Sequence, residues 1–120
     1  MYNVNFYYDK NEKSDVLDWL IELSKKKSKD ARINRNKILA YIKALQEYGV
    51  QVGEPICKHL TGDIWELRPL SNRILLFYHI KNQYVLLSQF IKKTNKTPKK
   101  EIERAINRMN DYIERNKEEK

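Results

Sequence analysis

The stretch from Ile64 to Ile91 constrains this chain most, because apolar runs of strand length alternate there with short polar turns. Ile64-Trp65-Glu66-Leu67-Arg68 puts Trp65 and Leu67 on one face and Ile64, Glu66 and Arg68 on the other, the period of two that an extended backbone imposes. After Pro69-Leu70-Ser71-Asn72 comes Arg73 to Ile80, rich in Ile, Leu, Phe and Tyr, and after Lys81-Asn82-Gln83 comes Tyr84 to Ile91, apolar on both faces for much of its length. Turns this short leave no room for a parallel crossover, so the three strands are expected to form an antiparallel meander.

The flanking segments supply the helices that such a sheet needs as cover. Tyr2, Val4, Phe6 and Tyr8 alternate with Asn3 and Asn5 and predict a first strand over residues 2–8. Beyond the polar turn Asp9 to Lys13, Ser14 is a candidate N-cap, with Asp15 in the first turn and Leu17, Leu20 and Ile21 on one helical face. Lys25 to Lys29 interrupts that stripe, which resumes with Ala31, Ile38, Tyr41, Ile42 and Leu45 and stops at Gly49. Thr61-Gly62-Asp63 reads as the turn into the Ile64 strand. Thr97-Pro98 reads as an N-cap followed by proline at the first helical position, ahead of Ile102, Ala105, Ile106, Met109 and Ile113. The expected order is β-α-α-β-β-β-α in one α+β domain, residues 1–114, with a polar tail over residues 115–120.

Eight Tyr, three Phe and two Trp in a chain that is 41% hydrophobic can build a core, which excludes disorder along its whole length. The single cysteine, Cys57, cannot form an internal disulfide, and Met-Tyr-Asn-Val-Asn does not open like a secretion signal. The apolar run Ile74 to Tyr78 falls far short of the roughly 20 residues of a membrane span. A cytoplasmic location without membrane contact is therefore expected. The only glycines are Gly49, Gly53 and Gly62, too scattered for a phosphate loop, and no CxxC or HxxxH spacing invites a metal, so neither cofactor nor metal is expected.

Charge gives the functional direction. The net +8 is concentrated in residues 51–100, which hold nine basic and three acidic side chains, and such a cluster attracts phosphate. Lys92, Lys93, Lys96, Lys99 and Lys100 fall between the end of the last strand and the start of the last helix, whose free amides add to the anion-binding character. In an antiparallel meander Arg68, Arg73, Lys92 and Lys93 reach one edge of the sheet together. The nearby acids are few: Glu54, Asp63 and Glu66, the last on the side of Arg68, where an ion pair explains it. His79 on an apolar strand reads as a sheet residue, whereas His59, beside Lys58, leaves a role near an anion open.

Lys58-His59-Leu60 ahead of a Gly turn, "WELR" at Trp65 to Arg68, "RILLFYHI" at Arg73 to Ile80 and "FIKKTNKTP" at Phe90 to Pro98 stand in the order seen in one family. With a last helix carrying Glu101, Ala105 and Tyr112, the chain resembles toxins of the RelE/ParE superfamily, in particular the HigB-like branch, also called phage-derived Gp49-like. The resemblance implies an endoribonuclease that cuts messenger RNA, commonly on the ribosome, and inhibits translation. It also implies a cognate antitoxin of the HigA-like helix-turn-helix kind. Carried over by position, it assigns the catalytic roles to Arg68, Arg73, Lys92 and Lys93, with Lys58 a looser match. Some HigB toxins use a histidine near the C-terminus, and this chain has none after His79.

In that chemistry Arg68 and Arg73 clamp the phosphate as charge accumulates on it, and Lys92 or Lys93, with His59 as rival, transfers the proton. Lys58, His59, Lys96 and Lys99 are the expected RNA contacts, and Tyr78 either stacks on a base or packs in the core. Two other functions stay open: the resemblance also admits a ParE-like gyrase poison, and the same lysines suit a module that binds RNA without cutting it.

Overall fold

In the computed structural model, which describes residues 1–117, the polar turn before the first helix closes on its own side chains. Asp9 Oδ1 accepts from the amides of Asn11 and Lys13 at 2.8 and 3.0 Å. Ser14 Oγ then caps α1 (Asp15–Lys25) by accepting from the Leu17 amide at 3.3 Å. A second serine, Ser28, caps α2 (Lys29–Tyr48) in the same way through the Ala31 amide at 3.1 Å. The α2 helix stops at Gly49, whose φ of +68° is one that glycine adopts without strain. A 3-10 turn, Gly49–Val52, follows.

Five strands form one sheet: β1 (Asn3–Phe6), β2 (Cys57–Thr61), β3 (Ile64–Leu67), β4 (Asn72–His79) and β5 (Gln83–Ile91). Their spatial order is β1-β5-β4-β3-β2. The expected meander is present and one strand longer, because Cys57–Thr61 pairs antiparallel with β3 across the Gly62 turn. The expected element order lacked this strand, whose mixed burial hides the alternation by which the others are recognised. The first strand is shorter than its alternation suggests and lies parallel to β5, with Tyr7 still bonded from its amide to the Leu86 carbonyl.

Each face of the sheet has its own core. The α1–α2 hairpin covers one, around Val16, Ile38, Leu45, Leu67, Ile74, Leu76 and Leu86. The last helix, α3 (Lys99–Arg115), covers the other, where Ala105 packs on Ile64, Leu75, Phe77, Val85 and Leu87. Thr97 does not cap α3. Pro98 occupies the cap position without a side-chain bond, and Thr97 is drawn inward instead. Arg115, expected in the polar tail, is the last residue of α3 and donates to the Tyr8 carbonyl, while residues 118–120 of that tail lie outside the described residues. Among the described residues no helix is long and apolar enough to cross a membrane.

Gly49 packs at the end of α2 against Tyr2, just before β1, and Tyr84 of β5, since a Cβ there would lie 2.7 Å from Tyr84 Oη and 2.9 Å from the Tyr2 ring. Gly49→Ala adds this clash to a left-handed backbone and is expected to destabilise the fold by roughly 1–3 kcal/mol. A lowered midpoint in thermal denaturation followed by circular dichroism checks this.

Candidate functional site

The β2–β3–β4 register sets the site. Lys58 pairs with Glu66 and Leu67 with Ile74, so Arg68 just beyond β3 and Arg73 near the start of β4 meet at one end of the sheet. Alternation turns Glu66 to the face covered by α3. The Glu66 carboxylate is only 2% exposed. Its Oε1 lies 3.5 Å from Arg68 Nε and 3.9 Å from Arg73 Nε, and its Oε2 accepts from Thr97 Oγ1 at 2.7 Å. One carboxylate thus holds two guanidinium groups and the loop that leads into α3.

The two arginines differ in what they can offer a ligand. Arg73 is buried, and its Nη1 donates to the Leu70 and Asn72 carbonyls at 2.9 and 2.8 Å. Burial first, and the charge of Arg68 second, pull its pKa below the usual arginine value, with Glu66 opposing them. Arg68 is half-buried and reaches toward solvent, its Nη1 3.4 Å from the exposed carboxylate of Glu54. Its buried Nε makes no hydrogen bond.

A cleft of about 200 Å³ opens beside Arg68, lined by Lys58, His59, Glu66, Lys96 and Thr97 among others. Its rim is cationic and its floor is the paired carboxylate. His59 Nε2 is 2.8 Å from the Gly62 carbonyl, and its ring packs edge-on against Trp65 at 4.9 Å. Of the residues singled out in the sequence, Arg68, Lys58, His59 and Lys96 share this cleft, and Arg73 stands behind it against Glu66.

The others lie farther out. The Lys92 amide donates to the Ser71 carbonyl at 2.8 Å, which holds residue 92 beside the start of β4, and the exposed Lys93 follows it at the same end of the sheet. Lys99, the first residue of α3, is exposed and 4.0 Å from Glu103. Tyr78 is not brought to the site. It lies at the opposite end of β4, its ring 5.3 Å from Tyr84 and 6.4 Å from Tyr2, and its hydroxyl accepts from the Asn82 amide. The bond from Thr97 to Glu66 was missed in the sequence, where no local signal links residues so far apart.

The family model for phage-derived protein Gp49-like matches residues 18–110, from within α1 to within α3, and so spans the whole cleft. The chain belongs to the Gp49-like family. That family is RelE-like and toxin-like, and the α+β architecture of this Gp49-like chain is compatible with a RelE-like fold. No curated protein matches the chain. Among the described residues of this Gp49-like protein, no three His, Cys, Asp or Glu side chains are grouped to hold a metal ion. Cys57, which burial pushes up to about 12, faces the core and not the cleft.

Neutralising the central carboxylate leaves buried Arg73 facing Arg68 with no charge between them, since Glu54 reaches only Arg68 and from the solvent side. Glu66→Gln is therefore expected to destabilise the protein by about 3–5 kcal/mol, the range for breaking a buried ion pair from one side. Urea denaturation followed by tryptophan fluorescence measures it.

Proposed function

We propose that this Gp49-like protein is the toxin of a toxin–antitoxin pair and acts as an endoribonuclease on messenger RNA, engaged with the ribosome, so that translation stops. The observation that carries the reading is the cleft in which Arg68, Lys58 and Lys96 line a space beside a buried arginine–carboxylate pair. Its chemistry suits a phosphodiester and its charge suits RNA.

RNA cleavage through the 2′-hydroxyl passes through a dianionic phosphorane. Arg68 stabilises that charge directly, because its guanidinium is half-exposed and already oriented by Glu66 and Glu54. Arg73 contributes from behind as a fixed positive charge in a dry environment, held by the same carboxylate as Arg68. Lys58 and Lys96 hold the flanking phosphates, with Lys99 farther along the strand. Proton transfer falls to Lys92, Lys93 or His59, of which only His59 lines the cleft. Such a toxin needs a cognate antitoxin, which we take to be a HigA-like helix-turn-helix protein.

Arg68→Ala is expected to lower the rate of RNA cleavage about 100- to 1000-fold, as the loss of one oriented oxyanion donor does, with an unchanged circular dichroism spectrum. Lys93→Ala should likewise relieve growth arrest. Cleavage of ribosome-bound messenger RNA at the wild-type rate by both variants would overturn the site, and RNA binding without cleavage by the wild type would favour the binding module. Expression without the antitoxin is expected to arrest growth, with fragmented messenger RNA and intact plasmid. Cleaved plasmid would instead identify a gyrase poison.

A further inference from the structure

A second cleft, of about 570 Å³, opens on the opposite face of the same sheet end, between the α1–α2 hairpin and the strands. The pairing of Asn72 with Ile91 places it where β4 begins and β5 ends, directly before Arg73 and Lys92. Asn72 connects the two faces. Its side-chain amide donates to Asn34 Oδ1 at 2.8 Å within the second cleft, while its own carbonyl accepts from Arg73 Nη1 at 2.8 Å behind the first. The bond between the Lys92 amide and the Ser71 carbonyl runs across the sheet end between the two clefts.

The lining matches a nucleotide. Half-buried Trp19 and half-exposed Ile91 offer apolar surface to the face of a base, and the exposed Ser71 places its hydroxyl at its edge, above the Asn72–Asn34 pair, whose amides are bonded within the protein. Lys26 stands at the margin, a cation suited to the negative charge of a backbone, and Asp30 is the single acid in the lining. An apolar platform, edge donors and acceptors and a basic margin are the parts with which proteins hold single-stranded RNA.

We propose that this cleft is a subsite for a nucleotide of single-stranded RNA flanking the one held at Arg68, the strand crossing the sheet end over Ser71 and Lys92. The proposal rests on the ribonuclease reading and deepens it. A substrate longer than a dinucleotide gains contacts here that a dinucleotide cannot reach, so affinity rises with length on the side of the strand that enters this cleft.

The test uses mixed-sequence octanucleotides and dinucleotides carrying 2′-O-methyl groups, which block attack by the 2′-oxygen. Binding is measured by fluorescence anisotropy and by the NMR shift of the Trp19 indole N–H. The doubly substituted Lys26→Ala, Ile91→Ala protein, changed at two exposed positions, is expected to bind the octanucleotide about tenfold more weakly than wild type, the size of one lost base contact. Dinucleotide binding should be unchanged, and the Trp19 resonance should move with the octanucleotide alone. Unaltered octanucleotide affinity in the double variant, with Arg68→Ala still weakening it, overturns the subsite and leaves the ribonuclease reading standing. A wild-type protein that binds neither RNA overturns both. A Trp19 shift produced by the antitoxin and by neither RNA overturns the subsite and gives the cleft to a protein partner.

Discussion

Glu66 lies where β3, the start of β4 and the loop into α3 meet, and its carboxylate makes that junction possible. Two guanidinium groups carried by neighbouring strands repel each other, and Arg73 has little solvent to screen it. A carboxylate between them turns repulsion into attraction, but burying it requires that its oxygens be satisfied. The Thr97 hydroxyl bonds Oε2, and the guanidinium charges of Arg68 and Arg73 offset the charge at Oε1, so that three parts of the chain hold the carboxylate. The bond to Thr97 also determines where Lys96 comes to rest, and the pairing of Lys58 with Glu66 brings the other side of the cleft into line. A slip of one residue in the β2–β3–β4 register would send Glu66 into the apolar core under α1 and α2 and dissolve the arrangement.

The rest of the molecule leaves that one end of the sheet open. At the other end Tyr2, Tyr78 and Tyr84 meet edge to face and close the sheet against the turn after α2, with Tyr84 Oη accepting from the Val50 amide. On the α3 face, Arg108 donates to the Leu87 carbonyl and to Asp15 Oδ2, and Tyr7 donates to Asp111 at 2.7 Å. These bonds tie α3 to β5, to the start of α1 and to the N-terminal strand. With α3 pinned along its C-terminal half, its first turn and the lysine-rich loop before it are free to border the cleft. The fold thereby separates a packed, aromatic end from a cationic one.

Much of this was legible in the residues because it depends on neighbours in the chain. The Ser14 cap, the Gly49 stop, the alternation of Trp65 to Arg68 and the short polar turns follow local rules, and the structure obeys them. Where a local rule competed with a distant partner, the partner won. Thr97 before a proline has the chemistry of a cap, yet a buried carboxylate 31 positions away takes its hydroxyl. Cys57 to Thr61 carries one buried, one half-buried and three exposed residues, so its strand character comes from pairing with β3 and not from its own pattern. Tyr78 could serve a base or a core by composition alone, and only the direction of β4 sends it to the far end.

The sequence by itself determined the class of the fold, the polarity of the charge and the residues able to meet at one sheet edge, because periodicity, turn length and net charge are additive properties of the chain. Tertiary structure alone decided that Arg68 faces the cleft while Arg73 is sealed behind it, and that Glu66, expected beside Arg68, binds Arg73 as well. Burial and counter-charge depend on what three separate segments bring to the same few ångströms, and no one segment encodes that.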